Sequence, residues 1–159
     1  MESFAGLPLH PLVVHFVVVA VPVTALVGIV VTLWPRARTA LGVFPPVLAL
    51  LTLISVPIAT TAGEALYRKL GEPAGVAHHA SIGDSLILAV GPMFGAIAMQ
   101  WLLYRPAVTA LIDRPDGTAG DTRLRWLRRF AALAVIAAAV ASLTMVILAG
   151  DSGARAVWG

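Results

Sequence analysis

PLVVHFVVVAVPVTALVGIVVTLW, residues 11–34, decides the class of this fold, and its only ionisable side chain is His15. A helix rises about 1.5 Å per residue, so about 20 apolar residues cross a hydrocarbon core about 30 Å thick. Three further stretches of this kind follow, at residues 41–62, 81–104 and 130–150. Their apolar runs are continuous. They lack the every-second-residue alternation of barrel strands, so helices are expected. Strongly polar residues enter only the later two, as Asp84, Gln100 and Ser142.

The whole chain agrees with its first span. Of 159 residues, 59% are hydrophobic and 12% are charged, whereas a soluble domain carries about 25% charged residues. The expectation is an all-α membrane protein, a single transmembrane domain over residues 1–159 built as a four-transmembrane-helix bundle. A cleaved secretory signal is the rival reading of the first span. Glu2 and the lack of Lys or Arg before Arg36 speak against it, since a signal begins with a basic segment.

Arginine placement predicts the topology. Arg36 and Arg38 follow the first span, and six more arginines lie between the third and fourth, at 105, 114, 123, 125, 128 and 129. The other side holds only Arg68, Lys69 and Arg155. Basic residues in short loops stay cytoplasmic, so both termini are expected outside. The small net charge of +3 reports this orientation, and no nucleic-acid partner is expected. The basic stretch from Thr122 to Arg129, with Leu124, Trp126 and Leu127 interspersed, reads either as an ordinary anchor or as an interfacial helix touching anionic lipid.

That topology puts all four histidines on the outer side. His10 and His15 open the first span, and His78 and His79 precede the third. Imidazole is the commonest metal and haem ligand and the commonest proton relay near neutral pH. His10 and His15 are about 140° apart on an ideal helix. His15 is therefore expected to point into the bundle and His10 to lie at the rim. The second span ends in Ala62-Gly63-Glu64 and the fourth in Ala149-Gly150-Asp151. Glycine there reads as a helix C-cap. An acid just beyond sits at the negative end of a helix dipole and invites a cation, a proton or a histidine as partner.

His15, His79 and His10 are thus the candidate ligands, with Glu64, Asp84, Asp151 and His78 as supporting residues. Three uses fit: haem b held between facing helices, a divalent or copper ion, or a quinone or proton site built on His–carboxylate hydrogen bonds. The plain alternative is that the histidines cap helices or bind a partner. The chain has no cysteine, which excludes disulfides, thiolate metal sites, iron–sulfur clusters and covalently attached c-type haem. No nucleophile–base pair stands apart from helix-end chemistry, so enzymatic activity is left open. Gly91 and Gly95, and Ala134, Ala138 and Ser142, read as small-residue packing faces. Pro57 is expected to kink the second helix.

Gly6-Leu-Pro-Leu-His10-Pro-Leu-Val-Val-His15-Phe16 resembles the opening of a family of small bacterial four-helix membrane proteins known as a domain of unknown function. The family's pattern continues with Pro where this chain has Val17. Thr61-Ala62-Gly63 and His79-Ala80-Ser81-Ile82-Gly83 are similar to two further family features. Near the C-terminus the family has Gly-His-x-Gly-Gly, and this chain has Gly150-Asp151-Ser152-Gly153-Ala154, with Asp151 in place of the histidine. The resemblance implies the four-helix architecture in a bacterial plasma membrane and singles out His10, His15 and His79. The functional expectation is a redox-associated membrane module holding haem b or a metal ion at its outer face. The alternatives are a cofactor-free subunit or assembly protein and, third, proton-coupled transport. Expected partners are the lipid bilayer, further copies of the chain, and respiratory or other redox membrane proteins.

Overall fold

The computed structural model of the chain describes residues 3–4, 7–69, 71, 74–112 and 118–158, with side chains described in 13–69, 71, 76–112 and 122–155. Two-residue strands, β1 (Ser3–Phe4) and β2 (Leu7–Pro8), pair antiparallel ahead of the first helix. The helices are α1 (Leu9–Leu33), α2 (Pro35–Leu41), α3 (Phe44–Lys69), α4 (Ala74–Ser85), α5 (Ile87–Leu103), α6 (Pro106–Ile112) and α7 (Thr118–Trp158). Four stretches are long and apolar enough to cross a membrane: Val13–Leu33, Phe44–Lys69, Val76–Leu103 and Thr122–Arg155. The third combines α4 and α5, because Leu86 between them keeps helical dihedrals (φ −60°, ψ −32°).

α1 packs against α3 and α7, and α5 packs against the same two, while α1 and α5 scarcely meet. Neighbours in sequence are therefore neighbours in space, as in an up-down-up-down bundle with short connections. Gly42 (φ +52°) follows α2 and Gly71 (φ +77°) follows α3. Both turns use a backbone conformation open to glycine at little cost.

Lipid tails are as apolar as the side chains, so close packing and internal hydrogen bonds hold such helices together. The core runs along Val21, Ala25, Val56, Val90, Met93 and Val135, all at most 1% exposed. Inside it the Thr24 and Thr52 hydroxyls are 2.7 Å apart, tying α1 to α3. Gln100 donates to Thr32 Oγ1 at 3.0 Å, tying α5 to α1. Ser142 Oγ is buried without a hydrogen-bond partner among the described residues. The outer surface of the spans carries large exposed apolar side chains such as Leu26, Leu88, Phe130 and Ile147, and this surface meets the lipid bilayer.

At one end of the bundle three arginines are spent on structure. Arg38 donates to the carbonyls of Val31 and Thr32, at 2.9 Å each. Arg128 donates through Nε and Nη2 to the Leu103 carbonyl, at 3.1 and 3.0 Å. These carbonyls end α1 and α5, where the chain has no further N–H to offer and a cation is favoured. Both guanidiniums also lie over the Tyr104 ring, at 3.8 and 4.4 Å from its centre. Arg105 stacks over Trp101 at 4.0 Å.

The structure moves several expected boundaries. α3 runs seven residues beyond 62, the helix that opens the third span begins at Ala74 rather than 81, and α7 spans Thr118–Trp158 rather than 130–150. Hydropathy marks where a helix meets lipid. The helix itself continues as long as residues such as Ala, Leu, Glu and Arg favour it. Gly63 and Gly150 consequently lie inside helices and cap nothing. Pro57 lies inside α3 as expected, and the Thr60 and Thr61 hydroxyls both donate to its carbonyl.

The packing role given to Gly91 and Gly95 is also corrected. A methyl group at either would meet nothing within 4 Å, so this face of α5 turns away from the bundle. The close helix approach is at Gly28, where a Cβ would stand 3.0 Å from Ile97 Cδ1 and 3.3 Å from Val135 Cγ1.

Candidate functional site

The end of the bundle opposite the arginines gathers the start of α1, the end of α3, α4 and the last turns of α7. His79 sits on α4, half-buried, facing α7. Its Nδ1 lies 3.0 Å from Ser152 Oγ, and Ser152 is 8% exposed. The Ser152 hydroxyl donates its single proton to the Ala149 carbonyl at 3.0 Å. Both contacts are made at once only in the tautomer that carries the proton on Nδ1, where Ser152 Oγ accepts from it. In the neutral ring Nε2 is left with a lone pair for a ligand, a metal or a proton.

Gly153 makes this arrangement possible. A Cβ there would stand 3.1 Å from His79 Cε1 and 3.4 Å from Nδ1. The imidazole therefore lies close against the Gly153 backbone, and a side chain at 153 would force the ring to shift.

Two openings share His79 as a wall. The first is an apolar cavity of about 140 Å³ between α1, α3 and α4, lined by residues that include Val17, Val56, Tyr67 and Leu86 and closed on the α7 side by Val146 and Ala149. Its charged lining residues are Glu64 and Asp84, both exposed. The second is a surface groove of about 360 Å³ formed by His78, His79, Ile82, Leu148, Asp151, Ser152 and Arg155. His79 thus stands between a polar surface and an apolar interior.

The other candidate residues fall as follows. His15 is exposed and does not line the cavity, which Val14, Val17 and Val18 reach from the same helix. The expectation that it points into the bundle is corrected: successive residues on a helix point about 100° apart, and Val14, Val17 and Val18 take the inner side. The His10 side chain lies outside the described residues. His78 is exposed and lines the groove but not the cavity.

Glu64 and Asp151 find arginines, not histidines. Arg68 lies 3.8 Å from Glu64, and Arg155 donates to Asp151 at 2.9 Å, each one turn further along the same helix. The repeat read as Ala-Gly-acid therefore extends to Ala-Gly-acid-x-x-x-Arg on both α3 and α7. These pairs are exposed, and such pairs add at most about 1 kcal/mol. Among the described residues no three His, Asp, Glu or Cys side chains converge as a metal site.

Ser152 and Gly153 are the site residues that sequence reasoning missed. Ser152 reads as an ordinary polar residue past the end of a span, and its role exists only once α7 continues and packs on α4. Gly153 falls within the family-like Gly150-Asp151-Ser152-Gly153 segment, which was the available clue.

No curated protein and no solved structure matched this chain. A family model does match, over residues 6–159. With that coverage of a four-span helical bundle, the chain belongs to the predicted membrane protein family DUF2231.

Proposed function

We propose that this protein is a membrane binding module that holds the apolar part of a small ligand in the cavity beside His79, at the outer face of a bacterial plasma membrane. The observation that carries this reading is the pairing of that cavity with one fixed polar group. Ligand sites combine an apolar pocket with a few placed polar groups, and a cavity of about 150 Å³ takes one benzene-sized body. The space suits a single ring or the end of an alkyl chain. A porphyrin, with four such rings, does not fit inside it.

The module is tested with 1-decanol as the probe, titrated into the full chain in phosphatidylcholine nanodiscs with empty discs as reference. Saturable binding is expected, and Ala80→Phe, which fills the cavity, should abolish it while the protein stays folded. Binding that survives the filling substitution would sink the reading.

A redox role with haem b or a divalent or copper ion is the second reading. It is favoured by the anchored Nδ1, because ligating histidines usually hold their second nitrogen in a hydrogen bond. The ion or haem would sit on the groove side and take Nε2 of His79 as one ligand. An optical spectrum and elemental analysis of untagged protein decide it. A metal or Soret band lost in His79→Ala supports it. A colourless, metal-free protein removes it. If decanol binding is absent as well, a cofactor-free membrane subunit remains.

A further inference from the structure

We infer that the ligand of the His79 cavity is a lipophilic cation, an alkylammonium-type head on an apolar body. The inference rests on the reading of the cavity as a binding site. Glu64 and Asp84 approach the cavity from two different helices, α3 and α4, and among the described residues no Lys or Arg lines it. Yet Arg68, Lys69 and Arg155 lie at this same end of the molecule. The bases have been kept off the lining while two acids remain on it.

The two acids are available. Asp84 makes no hydrogen bond or ion pair among the described residues. Glu64 meets Arg68 only at 3.8 Å on an exposed surface, a contact that an incoming cation can displace. The neutral polar lining has the same preference. In the tautomer that satisfies both Ser152 contacts, His79 offers Nε2 as an acceptor. Tyr67 lines the cavity and brings an aromatic ring, whose face attracts cations. Low-dielectric walls strengthen the field of the charges at a mouth of this kind. An anionic head would meet two carboxylates and a lone pair.

The experiment uses three probes with one chain length: decyltrimethylammonium, decyl sulfonate and 1-decanol. Each is titrated calorimetrically into the full chain in phosphatidylcholine nanodiscs, with empty discs subtracting partition into lipid. Decyltrimethylammonium is expected to bind about tenfold or more tighter than decyl sulfonate, as two unit charges close to the head imply. The double variant Glu64→Gln, Asp84→Asn should bring the two within about threefold, with 1-decanol binding unchanged as proof of an intact cavity. Equal binding of cation and anion in the parent protein, with decanol still bound, overturns the charge inference and leaves the cavity reading standing. A preference that survives the double variant also overturns it. Failure of decanol to bind overturns both.

Discussion

Ser152 is a small residue with a large consequence for His79. Its hydroxyl favours the tautomer with the proton on Nδ1, which satisfies both Ser152 contacts, and Gly153 gives the ring a place to lie. Two substitutions separate these roles. Ser152→Ala removes the acceptor for Nδ1–H and keeps the space; a neutral hydrogen bond of this kind contributes about 0.5–1.5 kcal/mol. Gly153→Ala keeps the hydroxyl and removes the space. Both should alter the imidazole ¹⁵N spectrum of His79, Ser152→Ala by tautomer mixing and Gly153→Ala by loss of the defined ring position. A His79 spectrum indifferent to Gly153→Ala would show that the ring does not rest there. His79 was legible in the sequence because histidine beside a span is conspicuous. Its two supports were not, because serine and glycine are unremarkable until a neighbouring helix is known to touch them. His15 was misjudged for a related reason: an isolated helix wheel places two histidines relative to each other, and only the neighbours say which face is inner.

At the scale of elements, the spans were readable and their ends were not. Residues 41–62 and 130–150 mark only the most apolar stretches of two longer helices. The helices outlast them, carried on by Glu64 to Lys69 and by Thr122 to Arg129. The same limit explains the glycines. A small-xxx-small pair such as Gly91 and Gly95 announces a face able to approach another helix, without saying that a helix is there. A paired comparison tests the assignment. Gly28→Val should destabilise the bundle by about 1–3 kcal/mol through overpacking against Ile97 and Val135. Gly95→Val on the outward face should stay within about 0.5 kcal/mol, as surface changes generally do. Thermal unfolding of both variants in one detergent gives the answer. The reverse ranking would mean that α5 is rotated relative to its place in this bundle.

For the whole molecule, the placement of basic residues predicts which end faces which side of the membrane. Eight of the eleven basic residues fall at 36–38 and 105–129 in the sequence, and the positive-inside rule predicts that these stretches are cytoplasmic. Activity reporters inserted in the connection after α1, and in that between α5 and α7, should read cytoplasmic. A reporter at the C-terminus should read external. A cytoplasmic C-terminus would invert the protein and put the His79 cavity on the inner face.

α7 has one more consequence. At 41 residues it is about 60 Å long, twice the thickness of the hydrocarbon layer. One rod therefore grips His79 near one extremity, through Ser152, and the Leu103 carbonyl near the other, through Arg128. An unbroken helix resists twisting about its own axis, so a twist that carries Ser152 off the imidazole is expected to swing Arg128 away from α5 as well. Spin-label distances from α7 to α4 and from α7 to α5 should change together under any ligand that moves either. Mechanically, the two faces of the membrane are joined by a shaft.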